Sequence, residues 1–557
     1  MKKLLSVLLA CLTLTACLYG CGDANYQGAD KVLSHDDAVA EMETLLKKVD
    51  MFTVDSPTLD IYSDETGADD SLSDLKTFPV TVSGKGQINL EIAAAPELSS
   101  EDSPDDWLNV IAARFNKENQ KLGGKTVSVS VRKITSGEVL TYMTAKKYSP
   151  DLYIPSNSAW GDMLEASGIS VEKLTDRLLG NTAGLLIKKD VYDTFLDKYK
   201  EATVKNVLEA SLNGDLTFAY TNPYTSSTGL NILAAMLKSF DEKNPLSGAA
   251  QQKLLEYQKQ SPPVAYTTAV LRNMAAKGVV DTMVMEEQAY INTPALSDFV
   301  YVPAGIRHDH PVYTFDYVSK AKKQAAKLFL DYCMTEKSQK LGTDKGFNRR
   351  DDYVSQDPGL DGAGYLSAQS VWKQNKNGGR PTAAVFIADT SGSMDGTPIK
   401  SLKESLLAAS SFIGSDNYIG LVSYSNDVTK HLDIKKFDAT QRAYFSGEVK
   451  AMTANGGTAT YNAVLVGMQM LTEAAKEIPD ARLMLFVLSD GETNEGWELD
   501  RVTPIVAGLQ IPVYTISYNY SDNGELETLS SINEAATIKA DSDNITNQLR
   551  NLFNVET

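Results

Sequence analysis

The sequence predicts an α/β protein, because apolar strand-like runs lead through polar turns into helical patterns along most of its length. Two runs carry the clearest signal. Residues 382–388 are followed by Asp389-Thr-Ser391-Gly-Ser393, and residues 483–488 are followed by Ser489-Asp490-Gly491. Residues 86–350 also alternate strand and helix patterns. Open parallel sheets bind ligands at the carboxyl ends of their strands, so we expect the function to lie there.

Length and charge limit the classes of function. The 557 residues allow roughly three domains of ~150 residues each, and the 43% apolar composition can build their cores. The formal charge is −19; without Lys2 and Lys3 of a leader, 53 − 2 = 51 basic residues face 72 acidic ones, which gives −21. So acidic a chain is not expected to bind nucleic acid, or to dock on anionic lipid by charge.

The N-terminus predicts a signal peptide. Met1-Lys-Lys is followed by an apolar stretch over residues 4–15, which is too short to span a membrane. Leu14-Thr-Ala-Cys17 resembles a bacterial lipobox, and the resemblance implies that Cys17 carries the lipid; Leu18-Tyr-Gly-Cys21 makes Cys21 the alternative. We therefore expect residues 1–21 to be a lipoprotein signal peptide with lipobox. The mature protein would face the cell exterior, or the periplasm if the source has an outer membrane, and would touch the membrane only through its lipid. Ordinary secretion is the alternative.

Two polar segments are interpreted as connections. Residues 22–85 are acidic and rich in Ser, Thr, Gly and Pro, apart from one amphipathic helix that begins at Ser34, so they predict an acidic tether. Residues 351–380 end in a run of Lys, Asn, Gly and Arg, and they predict a linker.

Residues 86–350 predict a separate domain. Strand patterns at 88–95, 125–131 and 151–155 alternate with helical patterns at 107–119 and from residue 136. The order resembles that of the type 2 periplasmic (extracellular) solute-binding proteins; the segments that carry the likeness are 92–96, 150–156, 221–229 and 328–339. This resemblance implies a two-lobed α/β fold with a ligand held between the lobes, against helix N-termini.

Hydroxyl side chains occupy the turns where such a ligand would lie. Backbone N–H groups at helix starts, together with hydroxyls, suit a small polar or anionic solute. The alternative is that the same residues only cap helices. The candidate ligand-binding residues are Ser136, Ser156, Ser158, Thr225, Ser226 and Ser227.

Residues 381–557 carry a candidate metal site. Asp389, Ser391 and Ser393 follow the first strand, Thr458 closes a glycine turn before a helix, and Asp490 follows the second strand. Such hard oxygen donors suit a small divalent cation such as Mg²⁺. The set resembles the metal-ion-dependent adhesion site of von Willebrand factor A (VWA) domains, which have a Rossmann-like, doubly wound fold.

The resemblance assigns roles to the five residues. Ser391 and Ser393 would bind Mg²⁺, Mn²⁺ or Ca²⁺ directly, whereas Asp389, Thr458 and Asp490 would act directly or through water. One coordination position would stay open for an Asp or Glu carboxylate of a partner protein. The alternative is that these residues cap helices at strand ends.

Recognisable catalytic motifs are absent from the sequence. The chain contains no GxxxxGK[ST], HExxH or GxSxG motif and only four histidines, so we expect no enzymatic activity. His308 and His310 suggest either a metal pair or a surface loop. We therefore expect a lipid-anchored cell-surface protein whose VWA site binds a partner carboxylate, for adhesion or complex assembly. The alternatives are a solute receptor of an ABC-type transporter, with the VWA domain as scaffold, and a chaperone of enzyme complexes.

Overall fold

The structure, a computed structural model, describes residues 33–540 except 61–74, 102–103, 261, 263, 266–267, 269–270, 273–274, 276–279, 377, 379, 411–412, 491–492, 519–523 and 534–536. The helices are α1 His35–Leu46, α2 Pro96–Ser99, α3 Trp107–Glu118, α4 Ser136–Thr144, α5 Ala159–Ala166, α6 Lys189–Tyr199, α7 Val204–Leu212, α8 Ser227–Phe240, α9 Gly248–Gln258, α10 Glu287–Ile291, α11 Lys320–Cys333, α12 Glu336–Asp344, α13 Gly362–Asn375, α14 Thr397–Ser410, α15 Ala439–Ala451, α16 Thr460–Glu477, α17 Leu499–Leu509 and α18 Glu525–Ser531. The strands are β1 Met51–Thr53, β2 Val80–Val82, β3 Ile88–Ala94, β4 Lys121–Leu122, β5 Lys125–Lys133, β6 Leu152–Ile154, β7 Val171–Thr175, β8 Thr182–Lys188, β9 Phe218–Thr221, β10 Val264–Ala265, β11 Thr282–Glu286, β12 Phe299–Arg307, β13 Val312–Phe315, β14 Thr382–Asp389, β15 Tyr418–Tyr424, β16 Val428–Lys436, β17 Arg482–Ser489, β18 Val513–Tyr518 and β19 Thr537–Ala540.

The middle of the chain forms two lobes, each around its own sheet. The first lobe has the strand order β2-β5-β3-β6-β13-β7, and the second has the order β10-β9-β11-β8-β12. The chain crosses between them before β8 and again after β12, where the N–H of Leu178 bonds to Asp309 O and the N–H of His308 bonds to Asn181 O. The predicted two-lobed α/β domain is therefore present. Residues 320–344 form two helices, because α11 ends before Met334 and Thr335 caps α12.

The C-terminal part is a doubly wound sheet in the order β1-β16-β15-β14-β17-β18-β19. Strand β14 lies at its centre and pairs in parallel with β15 and β17. Alternate residues of β14 face two separate cores: Val385 and Ile387 pack with α16 and α17, whereas Phe386 packs with α14 and α15. Burial on both faces explains why the strand is apolar without interruption.

The predicted tether differs from the structure over residues 33–60, which we call the N-terminal segment. Ala38, Met42 and Leu45 line one face of α1 and are buried against α16 and α17. Packing there is close, since a Cβ on Gly508 would lie 2.7 Å from that of Ala38. Strand β1 then joins the sheet edge beside β16. The sheet domain is therefore built from two parts of the chain, and the lobed domain is inserted between them.

The predicted linker also differs from the structure. Residues 362–375 form α13, which packs on α5 of the first lobe and on α8 and α9 of the second. Trp372 is buried, and its Nε1 donates a 2.8 Å hydrogen bond to Tyr220 OH. A Cβ on Gly362 would lie 2.0 Å from Asp162 O, so α13 lies directly against α5. These apolar and small residues make the segment part of the lobed domain.

Cys333 is fully buried in the first lobe, as expected of a core residue. Among the described residues, no helix is both long and apolar enough to cross a membrane. The lipid-anchor residues Cys17 and Cys21 lie outside the described part of the chain.

Candidate functional site

The candidate metal site lies at the carboxyl edge of the C-terminal sheet. Strands β14 and β17 run in parallel, with Ala388 opposite Leu488, so Asp389 and Asp490 leave the sheet side by side. Asp389 is fully buried at the end of β14. Its Oδ2 accepts hydrogen bonds from Ser489 Oγ at 2.6 Å and from Tyr424 OH at 3.1 Å. Two neighbouring strands thus hold this carboxylate in one orientation.

The turn after Asp389 brings both candidate serines to the same place. The N–H of Ser391 donates to Asp389 Oδ1 at 2.8 Å, which closes the turn. Ser391 Oγ lies 3.0 Å from Ser393 Oγ, and Ser393 Oγ donates to Asp490 Oδ1 at 2.8 Å. Three oxygens from two chain segments therefore form a continuous group at the sheet edge. Ser391 is buried, whereas Ser393 is exposed.

The glycine turn before Thr458 packs against this group. The N–H of Gly392 donates to Gly456 O at 2.9 Å, and the N–H of Asn455 donates to Thr390 O at 2.8 Å. A Cβ at position 392 would lie only 3.2 Å from Gly456 O. Thr458 is buried at the end of the turn, directly before α16. The structure thus brings the turns that carry all five candidate metal ligands to one edge of the sheet.

The site is short of positive charge. Burial raises the pKa of Asp490 above its ordinary value; the hydrogen bond from Ser393 opposes this effect, and the charge of Asp389 adds to it. His431 does not serve the site, since its Nε2 lies 2.8 Å from Ser423 Oγ and its other nitrogen meets Glu448. The fully buried carboxylate of Asp389 and the partly buried one of Asp490 repel each other, and a bound cation would relieve that repulsion.

The donor set fits a hard divalent cation. Neighbouring oxygens around octahedral Mg²⁺, each about 2.1 Å from the ion, lie about 3 Å apart. The contacts of Ser393 with Ser391 and Asp490, at 3.0 and 2.8 Å, have this spacing. No group of three or more His, Cys, Asp or Glu side chains suited to a metal occurs in the described part of the chain. A metal at this edge would therefore depend on the serine hydroxyls.

A second candidate site is a cavity of about 170 Å³ between the two lobes. Five of the six predicted hydroxyl residues line it: Ser136, Ser156, Thr225, Ser226 and Ser227. The sixth, Ser158, is not among its lining residues. Its carbonyl instead accepts the N–H groups of Gly161 and Asp162 at the start of α5. The polar turns of the two lobes therefore meet at the cavity, with the exception of Ser158.

Several of these hydroxyls already have internal partners. Ser226 caps α8 by accepting the N–H of Gly229 at 3.3 Å. Ser227 Oγ accepts a 2.8 Å bond from Trp160 Nε1 and donates to Ser136 Oγ at 3.1 Å, so it joins the lobes. Helix capping, the alternative to a ligand role, thus applies to Ser226, and Ser227 has a structural role in holding the lobes together.

The sequence interpretation missed the charged residues of the cavity, which are Glu97, Asp105, Arg272 and Glu286. Glu97 lies in α2, three positions after β3 ends, and Glu286 is the last residue of β11. Position at a strand end was the available signal, the same one that identified Asp389. These acidic residues belong to no recognisable ligand motif, so they did not stand out among the 72 Asp and Glu residues of this chain.

His308 and His310 lie next to two of these carboxylates, Glu286 and Glu97. Both histidines are completely buried, so the surface-loop interpretation is wrong. His310 Nε2 lies 3.4 Å from Glu97 Oε1, and His308 Nδ1 lies 3.5 Å from Glu286 Oε1. Burial acts to raise the pKa of Glu97, but the hydrogen bonds and charge of His310 and the bond from Ser156 outweigh it, and the net pKa is lowered.

Comparison with known proteins agrees with this division of the chain. Residues 97–348 match the family described as bacterial extracellular solute-binding protein, and residues 384–554 match the von Willebrand factor type A domain. The inter-alpha-trypsin inhibitor heavy chain H3 of Bos taurus is 27% identical over 162 residues, which cover 26% of this chain and 18% of the relative. The chain thus spans under a fifth of that relative's length.

Two solved structures resemble different parts of the chain. A von Willebrand factor type A protein from Catenulispora acidiphila covers 31% of this chain and 42% of its own, with 19% identity and a TM-score of 0.29. Iron-bound HitA from Pseudomonas aeruginosa covers 52% of this chain and 99% of its own, with 15% identity and a TM-score of 0.38.

Proposed function

We propose that this chain, in which a bacterial extracellular solute-binding domain is followed by a von Willebrand factor type A domain, binds a protein partner through a divalent cation held by the latter. The partner would supply an Asp or Glu carboxylate. The observation that carries the proposal is the contiguous group of Ser391 Oγ, Ser393 Oγ and Asp490 Oδ1 at the sheet edge. Both domain types are typically binding modules, which supports a binding role and not an enzymatic one.

Each residue has a distinct part in the proposed site. Ser391 and Ser393 would hold the cation directly as neutral ligands, so they leave its charge largely uncompensated. Asp389, fixed by Ser489 and Tyr424, would hold the cation from the sheet side, directly or through water. A bound Mg²⁺ supplies a Lewis-acidic position that accepts a carboxylate oxygen. The exposure of Ser393 leaves that position open to a partner.

Calorimetry of the mature protein with Mg²⁺, Mn²⁺ and Ca²⁺ tests the metal step. We expect one site, and at a hundredfold excess over its dissociation constant a stabilisation of about 2.7 kcal/mol. Asp389→Ala should abolish both effects. Asp480→Ala is the matched control, since Asp480 is exposed in the turn before β17, at the opposite end of that strand. Absence of binding heat and of any melting shift in the wild type would refute the proposed site.

The partner step needs its own experiment. A pull-down of cell-surface proteins by the mature protein should recover a partner in Mg²⁺, lose it in EDTA, and fail with Asp389→Ala. Recovery that is equal with and without cation would contradict carboxylate bridging through a metal.

We further propose a lipid anchor at Cys17, with Cys21 as the alternative, on the extracellular face of the membrane. Leu33 begins the segment that packs on the VWA domain. The 33 − 17 = 16 residue-to-residue steps from Cys17 to Leu33 reach at most about 56 Å at ~3.5 Å per step. The anchor would therefore keep the VWA domain close to the membrane. Cys17→Ser should release the protein from washed membranes; release by Cys21→Ser alone would move the anchor to Cys21.

A solute-receptor role is the second candidate, with the VWA domain as scaffold. The cavity between the lobes favours it, since residues of both lobes line it and hydrogen bonds such as that from Ser227 to Ser136 join them there. Helix α13 packs across both lobes and would limit how far they open. This role and the metal-dependent one use different domains, so each can be tested alone.

A further inference from the structure

The cavity between the lobes carries an excess of acidic groups. Glu97 and Asp105 of the first lobe and Glu286 of the second line it, and among the described lining residues Arg272 is the basic one. Arg272 Nη2 lies 3.9 Å from Asp105 Oδ2 and balances one carboxylate at most. An anionic solute would therefore meet net negative charge, which argues against the anionic ligand that the hydroxyl turns alone suggested.

The carboxylates act on one another across the cavity. Burial raises the pKa of Asp105 above its ordinary value; the bond from Gln288 and the charge of Arg272 oppose this effect, whereas Glu97 and Glu286 add to it. Glu97 and Glu286 come from different lobes, so carboxylates of both lobes face the same cavity. A cation placed among them would be attracted by all three.

Histidine charge does not remove the excess. His308 Nε2 faces the amide nitrogens of Asn157 and Asn231 at 3.1 and 3.5 Å, so neutral His308 carries its proton on Nδ1, toward Glu286. His310 Nδ1 donates to Leu179 O at 2.8 Å, so its Nε2 bears a proton only when the ring is charged. Even with His310 and Arg272 both positive, three carboxylates leave a charge of −3 + 2 = −1.

A buried acceptor beside the cavity points to a ligand that donates hydrogen bonds. Gln288 is fully buried, and its Nε2 donates to Asp105 Oδ1 at 2.9 Å. The other end of the same amide, Gln288 Oε1, is buried without a hydrogen-bond partner among the described residues. An unpaired buried acceptor is costly, and an N–H donor would satisfy it.

Size distinguishes an organic cation from a single metal ion. The cavity of about 170 Å³ is several times the ~30 Å³ that one water molecule occupies in the liquid. Within the described residues, Glu97, Asp105, Glu286 and the two histidines do not form a group of three suited to one metal. We propose that the cavity binds a small organic cation with a protonated amine, held by Glu97, Asp105 and Glu286. This inference rests on the proposed solute-receptor role.

Calorimetry and thermal unfolding of the mature protein test the proposal. The amine probes are ethanolamine, lysine and 1,4-diaminobutane; the anion probes are sulfate, phosphate and molybdate. All are compared with potassium chloride at equal ionic strength. We expect saturable binding of at least one amine. We also expect at least a tenfold weaker affinity in Asp105→Asn and in Glu286→Gln. Asp193→Asn, an exposed change on α6, is the matched control and should bind as the wild type does.

The outcomes separate the ligand class from the receptor role. Binding of an anion probe with no binding of any amine would overturn the proposed class and leave the receptor role standing. Binding of neither set would overturn both. Amine binding that is unchanged in both cavity variants would place the site elsewhere and overturn the assignment to this cavity. Asp389→Ala should leave amine binding intact, which keeps this test independent of the metal site.

Discussion

The backbone N–H of Thr58 donates a 2.5 Å hydrogen bond to Glu448 Oε1 on α15, 390 positions later in the chain. The second carboxylate oxygen of Glu448 contacts His431 Nδ1, and His431 in turn contacts Ser423. This partly buried series of contacts fixes the end of the N-terminal segment to the C-terminal sheet domain. The lobed domain is therefore an insertion between the two chain segments that build the sheet domain.

Glu448→Ala should therefore loosen the N-terminal segment. Loss of the bonds to Thr58 and His431 should destabilise the protein by roughly 1–3 kcal/mol at neutral pH. Thermal unfolding measures the cost, and limited proteolysis should show faster cleavage within residues 33–60. Unchanged stability and unchanged cleavage would mean that α1 and β1 hold the segment without this contact.

The cost of Glu448→Ala should depend on pH. Burial acts to raise the pKa of Glu448, but the bonds from Thr58 and His431 outweigh it, so its folded-state pKa lies below the ordinary value. A lowered carboxylate pKa stabilises the fold above the unfolded value of about 4.3, and that stability is lost as pH falls through the folded-state pKa. The difference between wild type and variant should thus shrink in acid.

The metal motif could be predicted from sequence because its parts are local. Asp389 and Asp490 each follow an uninterrupted apolar run, and such a run is typical of a strand that is buried on both faces. Parallel neighbours then bring such ends together. The attachment of β1 had no such signal, since three exposed residues pair with Val428–Lys430 far along the chain. The position of β1 follows from α1, whose apolar face packs against α16 and α17.

The prediction of a linker over residues 351–380 failed for a related reason. Helix α13 begins Gly-Ala-Gly and holds only a few large apolar residues, such as Tyr365 and Trp372. Its small residues are the ones that allow close packing on α5, so a polar, glycine-rich composition was mistaken for a linker. The cavity carboxylates were missed because an isolated Asp or Glu looks the same in sequence whether it is solvated or faces a ligand.

Ser489→Ala should weaken metal binding without removing a proposed ligand. Ser489 Oγ donates to Asp389 Oδ2, and Tyr424 OH remains as the other donor to that oxygen. Loss of this one hydrogen bond should lower Mg²⁺ affinity by about tenfold, since mutation of a residue that hydrogen-bonds to a metal ligand typically lowers metal affinity by at least that factor. Calorimetry gives the affinity, and the melting temperature without metal gives the structural cost. A fall in melting temperature with unchanged affinity would show that Ser489 serves only the fold.

Asp105→Asn should make the protein more stable at neutral pH while it weakens the proposed amine binding. Because burial raises the pKa of Asp105, the unfolded chain ionises at lower pH than the folded one. Ionisation therefore favours the unfolded chain as pH rises above about 3.9, and the penalty is complete above the folded-state pKa. Asn cannot ionise, and its Oδ1 can still accept the bond from Gln288.

The sign of this effect distinguishes a functional carboxylate from a structural one. Melting temperatures of Asp105→Asn and wild type should converge near pH 3.5 and diverge toward pH 8, with the variant higher. Asp193→Asn, which is exposed, should show no such divergence. A residue that costs stability yet gives affinity is expected at a binding site, where the ligand supplies the missing charge. A lower melting temperature for Asp105→Asn at neutral pH would instead show that Asp105 is stabilised by Arg272 and Gln288, and that the cavity needs no cation.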